Sequence, residues 1–196
     1  HRDLHSFPTR RSSDLKGFVE SRHRKGKFVK SPLLSAKTSI EDLLSVDHQK
    51  IWELLCVRRI LDAEAARLAC EHATKKDIER LRHVYERATK VGEDKVLHDV
   101  QEGGKLYTEF FTALLASTKN SMFAHIRRSV NSILIGAFPY SRKKLSTIEG
   151  SSRTIVHQLH AIEQAIASRD AYRAREAVVE HIDYLKKSLK KALSAS

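Results

Sequence analysis

Glycine and proline are scarce in this 196-residue chain, at seven and three. Turns in β and loop-rich proteins need both, so an all-β or loop-dominated fold is excluded. Cysteine is scarcer still. Cys56 and Cys70 fall on one expected helix, ~21 Å apart at 1.5 Å per residue, so they cannot join within the chain. Both are expected to be buried small hydrophobes in a reducing, cytoplasmic setting. Long apolar runs are missing. The longest, Ile133 to Phe138, falls far short of the ~20 residues a helical membrane span needs. The N-terminus also lacks the apolar segment of a secretory signal, so no membrane partner is expected. Acidic residues are in deficit, 24 against 36 Lys and Arg, which leaves a formal charge of +12 and suits a polyanionic partner.

Residues 1–15 (HRDLHSFPTRRSSDL) have neither helical nor strand period. They resemble the in-frame translation of a sequencing adapter, are expected to be an artefact of one, and are set aside for the fold. Residues 16–31 hold six Lys and Arg against one Glu, and so carry +5 of the total. Within them, residues 18–29 set two β-prone ends around a basic turn with one glycine, the pattern of a hairpin. Arg22, His23, Arg24, Lys25 and Lys27 at its tip can lie along a phosphate backbone, where each neutralised phosphate releases a counterion. A solvated basic loop is the alternative. Residues 32–47 are expected to be a linker, with Thr38 to Glu41 at the spacing of a capping box.

From residue 48 to 196 the apolar period is helical throughout. It runs through Ile51, Leu54, Leu55, Leu61 and Ala65, then Ile78, Leu81, Tyr85 and Ala88, then Leu106, Phe110, Phe111 and Leu114. Phe123, Ile126 and Val130 follow, with Pro139 as a stop, then Val156, Leu159, Ile162 and Ile166, and finally Ala174, Val178, Leu185 and Leu189. Thr74 with Asp77, Asn120 and Asp170 are the expected N-caps. The fold class is therefore all-α, an antiparallel bundle of six or seven helices behind a small hairpin. Arg58 stands on the otherwise apolar stripe of its helix. A buried guanidinium needs a partner, and its planar fork suits a carboxylate or phosphate. Asp62 one turn on offers an internal salt bridge, snorkelling to the edge is a second choice, and a bound effector is a third.

Several stretches in order resemble the GntR family of bacterial transcription regulators, in the FadR-like branch with an FCD ligand-sensing domain. Lys16 to Ser21 and Lys25 to Val29 resemble the end of a recognition helix and a wing. Val57 to Asp62 with Ala65 to Ala69 are similar to the first FCD helix. Phe110-Phe111 and Ser117 to Asn120 are similar to its central helix, and Ala165 to Asp170 with His181 to its last two. The resemblance implies a DNA-binding, effector-responsive homodimer in the cytoplasm. It makes residues 16–31 the remnant of a truncated winged helix-turn-helix and residues 48–196 the sensing and dimerisation domain. Arg24 stands where the family tends to have a second wing glycine.

Many FCD domains hold a metal on four ligands. Aligned on Asn120 and on Ala165-Ile166, those positions fall here on Tyr107, Phe111, Leu159 and His181. One imidazole with Tyr, Phe and Leu is no metal set, so neither a metal nor another cofactor is expected. A one-residue shift would bring His157 or His160 inward instead of Leu159. The resemblance also places an effector-binding arginine near Arg58. The substitutions make the pocket apolar, which favours an apolar or acyl-type effector, with Arg58, Tyr107, Phe111, Leu159 and His181 as its contacts. A helical dimerisation scaffold without a ligand and, less favoured, a small helical enzyme are the competing readings. Against the enzyme, no nucleophile–base pairing or glycine-rich phosphate loop stands out.

Overall fold

A computed structural model describes residues 19–22, 26–29, 49–99, 102–134 and 138–194. The chain divides into two compact units, residues 1–47 and 48–196. In the first, β1 (Val19–Arg22) and β2 (Gly26–Val29) pair antiparallel, with Val19 opposite Val29 and Arg22 opposite Gly26. The expected hairpin therefore forms. Arg22 and Lys27 stand on its strands. His23, Arg24 and Lys25 lie outside the described residues, as do residues 1–15 and 32–47.

The second unit holds seven helices among the described residues: α1 (Gln49–His72), α2 (Lys75–Val91), α3 (Glu102–Ser117), α4 (Ser121–Leu134), α5 (Phe138–Ser146), α6 (Ser151–Ala167) and α7 (Ala171–Ser194). Their starts follow the cap residues. Thr74 and Asp77 form a reciprocal capping box at α2. Asn120 Oδ1 accepts the Phe123 N–H at 2.9 Å and Asp170 Oδ1 accepts the Arg173 N–H at 2.9 Å, so each satisfies a donor that the helix itself leaves open. The long α1 packs along α7, α6 along α7, and α2 against α3 and α6. The core between them is built from Leu81, Leu106, Phe110, Leu114, Ile162, Ile166, Val178 and Ile182, all buried. No helix among the described residues is long and apolar enough to cross a membrane.

Two expectations change. Pro139 does not simply stop a helix. It lies in the first turn of α5, where a missing N–H costs nothing and a fixed φ helps. Cys70 is buried, as expected, but Cys56 is exposed, with the Lys186 ammonium 3.5 Å from its Sγ. Its side of α1 is not wholly covered, since Val57 and Ile60 are exposed as well.

Gly103, in the first turn of α3, sets how closely the 92–99 turn and α5 approach. A Cβ there would overlap the Val96 carbonyl oxygen and Arg142 Nη2, whereas at Gly104 the nearest heavy atom is 3.9 Å away. Gly103→Ala is therefore expected to destabilise the protein by about 1–3 kcal/mol through overpacking. Gly104→Ala should be neutral or stabilise it by up to about 1 kcal/mol. Urea unfolding of the two variants checks the contrast, and equal effects would contradict it.

Candidate functional site

The site is built from α1 outward. Positions 58 and 62 are one turn apart and share a face. Arg58 Nε donates to Asp62 Oδ2 at 3.1 Å, and both side chains are buried. From α4, Arg127 donates to the same carboxylate through Nε to Oδ1 and through Nη2 to Oδ2, the latter at 2.9 Å. Arg127 is itself 1% exposed. One carboxylate thus serves two guanidiniums. Burial works against charge on Asp62, but Arg58 and Arg127 outweigh it and hold its pKa below the usual range.

Tyr107 and Phe111 are one turn apart on α3 and face Arg58. Its guanidinium carbon lies 5.6 Å from the Tyr107 ring centre and 5.0 Å from that of Phe111, within cation–π range. Arg58 Nη2 donates to the Tyr107 hydroxyl at 2.9 Å, and the hydroxyl lies 2.9 Å from His181 Nε2 on α7. His181 Nδ1 is 2.9 Å from Gln158 Oε1 on α6. The order of donors assigns the protons. A guanidinium can only donate, so the Tyr107 oxygen accepts and its O–H donates to Nε2. The Nδ1–H then donates to the Gln158 amide oxygen. Burial, reinforced by Arg58, pushes His181 down to about 3, so the ring is neutral at physiological pH. Burial also raises the Tyr107 phenol against the opposing pull of Arg58. On Arg58 the burial effect is outweighed by Tyr107 and Asp62, which raise its pKa and keep it charged.

Beside this relay lies a cavity of about 60 Å³. Its apolar wall includes Ile51, Leu55, Leu97, Leu145, Ile155, Leu185 and Leu189, and its polar wall is Arg58, Tyr107, Ser141 and Arg142. Of the five expected contacts, Arg58, Tyr107, Phe111 and His181 come together, and Arg58 and Tyr107 reach the cavity wall. Phe111 and His181 pack behind them, with ring centres 5.8 Å apart. Leu159 is buried but is not on that wall. His157 is exposed and 3.0 Å from Glu93 Oε2, and His160 stacks on Tyr85, so neither replaces Leu159. Among the described residues no group of three or more His, Cys, Asp or Glu side chains is placed to hold a metal.

Sequence reasoning missed Arg127 and Arg142. Both are charged residues that composition assigns to the surface, yet both are buried. Arg142 Nη2 donates to the Val96 carbonyl and, at 2.9 Å, to that of Asp99. Its Nε is buried with no partner among the described residues. Burial lowers its pKa, with Asp99 opposing.

Comparisons with known proteins agree with this architecture. The model of the FCD domain family matches residues 53–184. The chain is 25% identical over 168 residues to the HTH-type transcriptional regulator LutR of Bacillus subtilis, covering 85% of this chain and 74% of that one. It is 24% identical over 147 residues to the Glc operon transcriptional activator of Escherichia coli, covering 75% of this chain but 58% of the activator. The fold is similar to that of E. coli McbR/YncC, with a TM-score of 0.65 at 14% identity over 91% of this chain and 80% of that one.

Two outcomes follow from the relay. Asp62→Ala leaves two buried guanidiniums without their carboxylate and is expected to cost about 3–5 kcal/mol in urea unfolding; a loss under about 1 kcal/mol would contradict the geometry. Between pH 6.5 and about 3 the unfolded chain binds a proton at His181 that the folded chain refuses, so stability falls as pH falls through that window. From pH 6.5 to 4.5 the loss due to this residue should be about 2–3 kcal/mol. His181→Gln, which can still accept from Tyr107, should remove that part of the pH dependence. An unchanged slope would show that His181 is not buried neutral.

Proposed function

The chain belongs to the FCD-domain family of GntR-type transcription regulators, a regulator rather than an enzyme, and on that premise we propose that the cavity beside Arg58 and Tyr107 is its effector site. The observation that carries this reading is the juxtaposition of an apolar wall with a buried guanidinium and phenol. An effector with an apolar or acyl body and one polar head meets both. Its body leaves water for the apolar wall, and its head accepts a hydrogen bond that Arg58 would otherwise make to water. The acyl part is short. At 10–15 Å³ for each water-sized position, the cavity takes roughly four to six heavy atoms. A longer chain would require α1, α5 and α7 to part.

The rest of the regulator follows as expectation. Effector binding shifts the helical unit between two arrangements and so alters the spacing of two DNA-reading modules in a homodimer. The α1 and α4 faces carry Val57, Ile60, Met122 and Ile126, all exposed. Glu53 is on the α1 side, with His125 and Arg128 on the α4 side. A two-fold that crosses α1 of one copy over α4 of the other covers these apolar residues and sets acid against base. Arg22, His23, Arg24, Lys25 and Lys27 of the hairpin take the phosphate backbone of operator DNA in the whole protein, which works in the cytoplasm.

Thermal-shift screening tests the effector site. A short acyl compound at 100 times its Kd should stabilise the folded protein by about 2.7 kcal/mol. Leu189→Phe, which fills the cavity, should abolish the shift and leave the unliganded protein at least as stable. A shift that survives in Leu189→Phe would place the site elsewhere. Binding of small hydroxy acids with no binding of acyl compounds would overturn the effector class.

A further inference from the structure

We propose that the C-terminal half of α7 is a DNA-contact surface of the helical unit, where Lys187, Lys190 and Lys191 take the phosphate backbone. The inference rests on the reading of the chain as part of a DNA-binding regulator and not on the effector site. It adds a second contact to the one expected of the hairpin.

Charge is divided along α7. Residues 171–183 hold two Arg against three acids, whereas residues 184–194 hold four Lys and no acid. The α5 helix, which packs on α7, adds the exposed Lys143 and has no acid of its own. Elsewhere on the helical unit exposed cations sit in ion pairs, as Arg153 does with Asp94, Lys119 with Asp77 and Arg59 with Asp183. Among the described residues Lys143, Lys187, Lys190 and Lys191 have no carboxylate at ion-pair distance. The positive charge of this face is therefore left for something outside the chain.

The helix period fixes which way the charge faces. Leu185, Ser188, Leu189 and Ala192 are buried, and Lys187, Lys190 and Lys191 between them are exposed. Lys187 and Lys191 are one turn apart, as are Lys186 and Lys190, and like charges at that spacing destabilise a helix. The helix dipole does not account for the cluster. It favours cations within the last turn, where Lys191 stands, but Lys186 and Lys187 lie before that turn. Two of the four lysines rest on α1, with Lys190 Nζ 5.6 Å from the Trp52 ring centre and Lys186 Nζ 3.5 Å from Cys56 Sγ. A polyanion laid along this face relieves the repulsion, and each phosphate that is neutralised releases a counterion. DNA is the polyanion that regulators of this family meet, and the +5 carried by residues 16–31 suits the same partner.

Fluorescence anisotropy of the whole chain on a labelled DNA duplex, titrated from low to physiological salt, tests the proposal. Lys187→Gln, Lys190→Gln and Lys191→Gln together should weaken binding roughly three-fold or more at low salt and lower the slope of log affinity against log salt by about 2–3. Lys187→Arg, Lys190→Arg and Lys191→Arg together keep the charge and should bind as wild type. Lys75→Gln, Lys76→Gln and Arg80→Gln together remove the same charge from α2, where Asp77 and Glu79 stand among them, and should leave the slope unchanged. Arg22→Gln with Lys27→Gln reports the hairpin separately. A loss in the hairpin variant with none in the α7 Gln variant overturns the proposal and leaves the hairpin contact in place. An equal loss in the α2 variant overturns it too, because net charge alone would then explain the effect. Weaker binding of the α7 Gln variant to phosphatidylglycerol vesicles, with binding to DNA unchanged, would assign the face to a membrane surface and overturn it. A wild-type chain that does not bind the duplex at low salt would remove both contacts.

Discussion

The Asp62 carboxylate, shared between Arg58 and Arg127, is the constraint around which the helical unit is arranged. It sits at the meeting point of α1 and α4. Through Arg58 the hydrogen bonds continue to Tyr107 on α3, His181 on α7 and Gln158 on α6. Five helices are thus fixed relative to one another by one polar relay inside an apolar bundle. Such a relay adds less to net stability than an apolar replacement could, but it has one correct geometry. A slip of α1 by one turn would leave charges buried and unpaired. The relay therefore specifies the arrangement of helices that the hydrophobic core then fills.

Tyr107, Phe111 and His181 occupy positions that the family resemblance assigns to metal ligands. Here they form a hydrogen-bonded and cation–π bracket for a guanidinium. The neutral His181 contributes orientation rather than charge. Arg127 stands on α4, the helix that also presents Met122 and Ile126 to solvent. Asp62 thus links Arg58, on the cavity wall, to a helix with exposed apolar residues.

Much of this was legible in the sequence, and what was not has identifiable causes. Thr74 with Asp77, Asn120 and Asp170 announced their helices because capping is local chemistry. Arg58 stood out because it interrupts an apolar stripe, and Asp62, one turn on, was one of the partners that its position left open. Tyr107 and His181 were placed together through the family's ligand positions, without the hydrogen bond that joins them. Arg127 and Arg142 escaped notice because their partners lie 65 and 46 residues away, and nothing local marks a charged residue as buried. The helix at 138–146 was hidden by Pro139, which stops one helix and opens the next with the same fixed φ. Cys56 deceived because thiols are usually buried, whereas α1 leaves one face uncovered.

The effector site proposed above depends on the apolar wall that meets the buried Arg58 and Tyr107. A crystal structure of the chain grown with butyrate tests it most directly. Density is expected for the polar head beside Arg58, with the alkyl part against Leu185 and Leu189 and the Asp62 relay intact. A cavity closed by its own side chains, or an ion bound at His181 with Arg58 turned away, would contradict the claim.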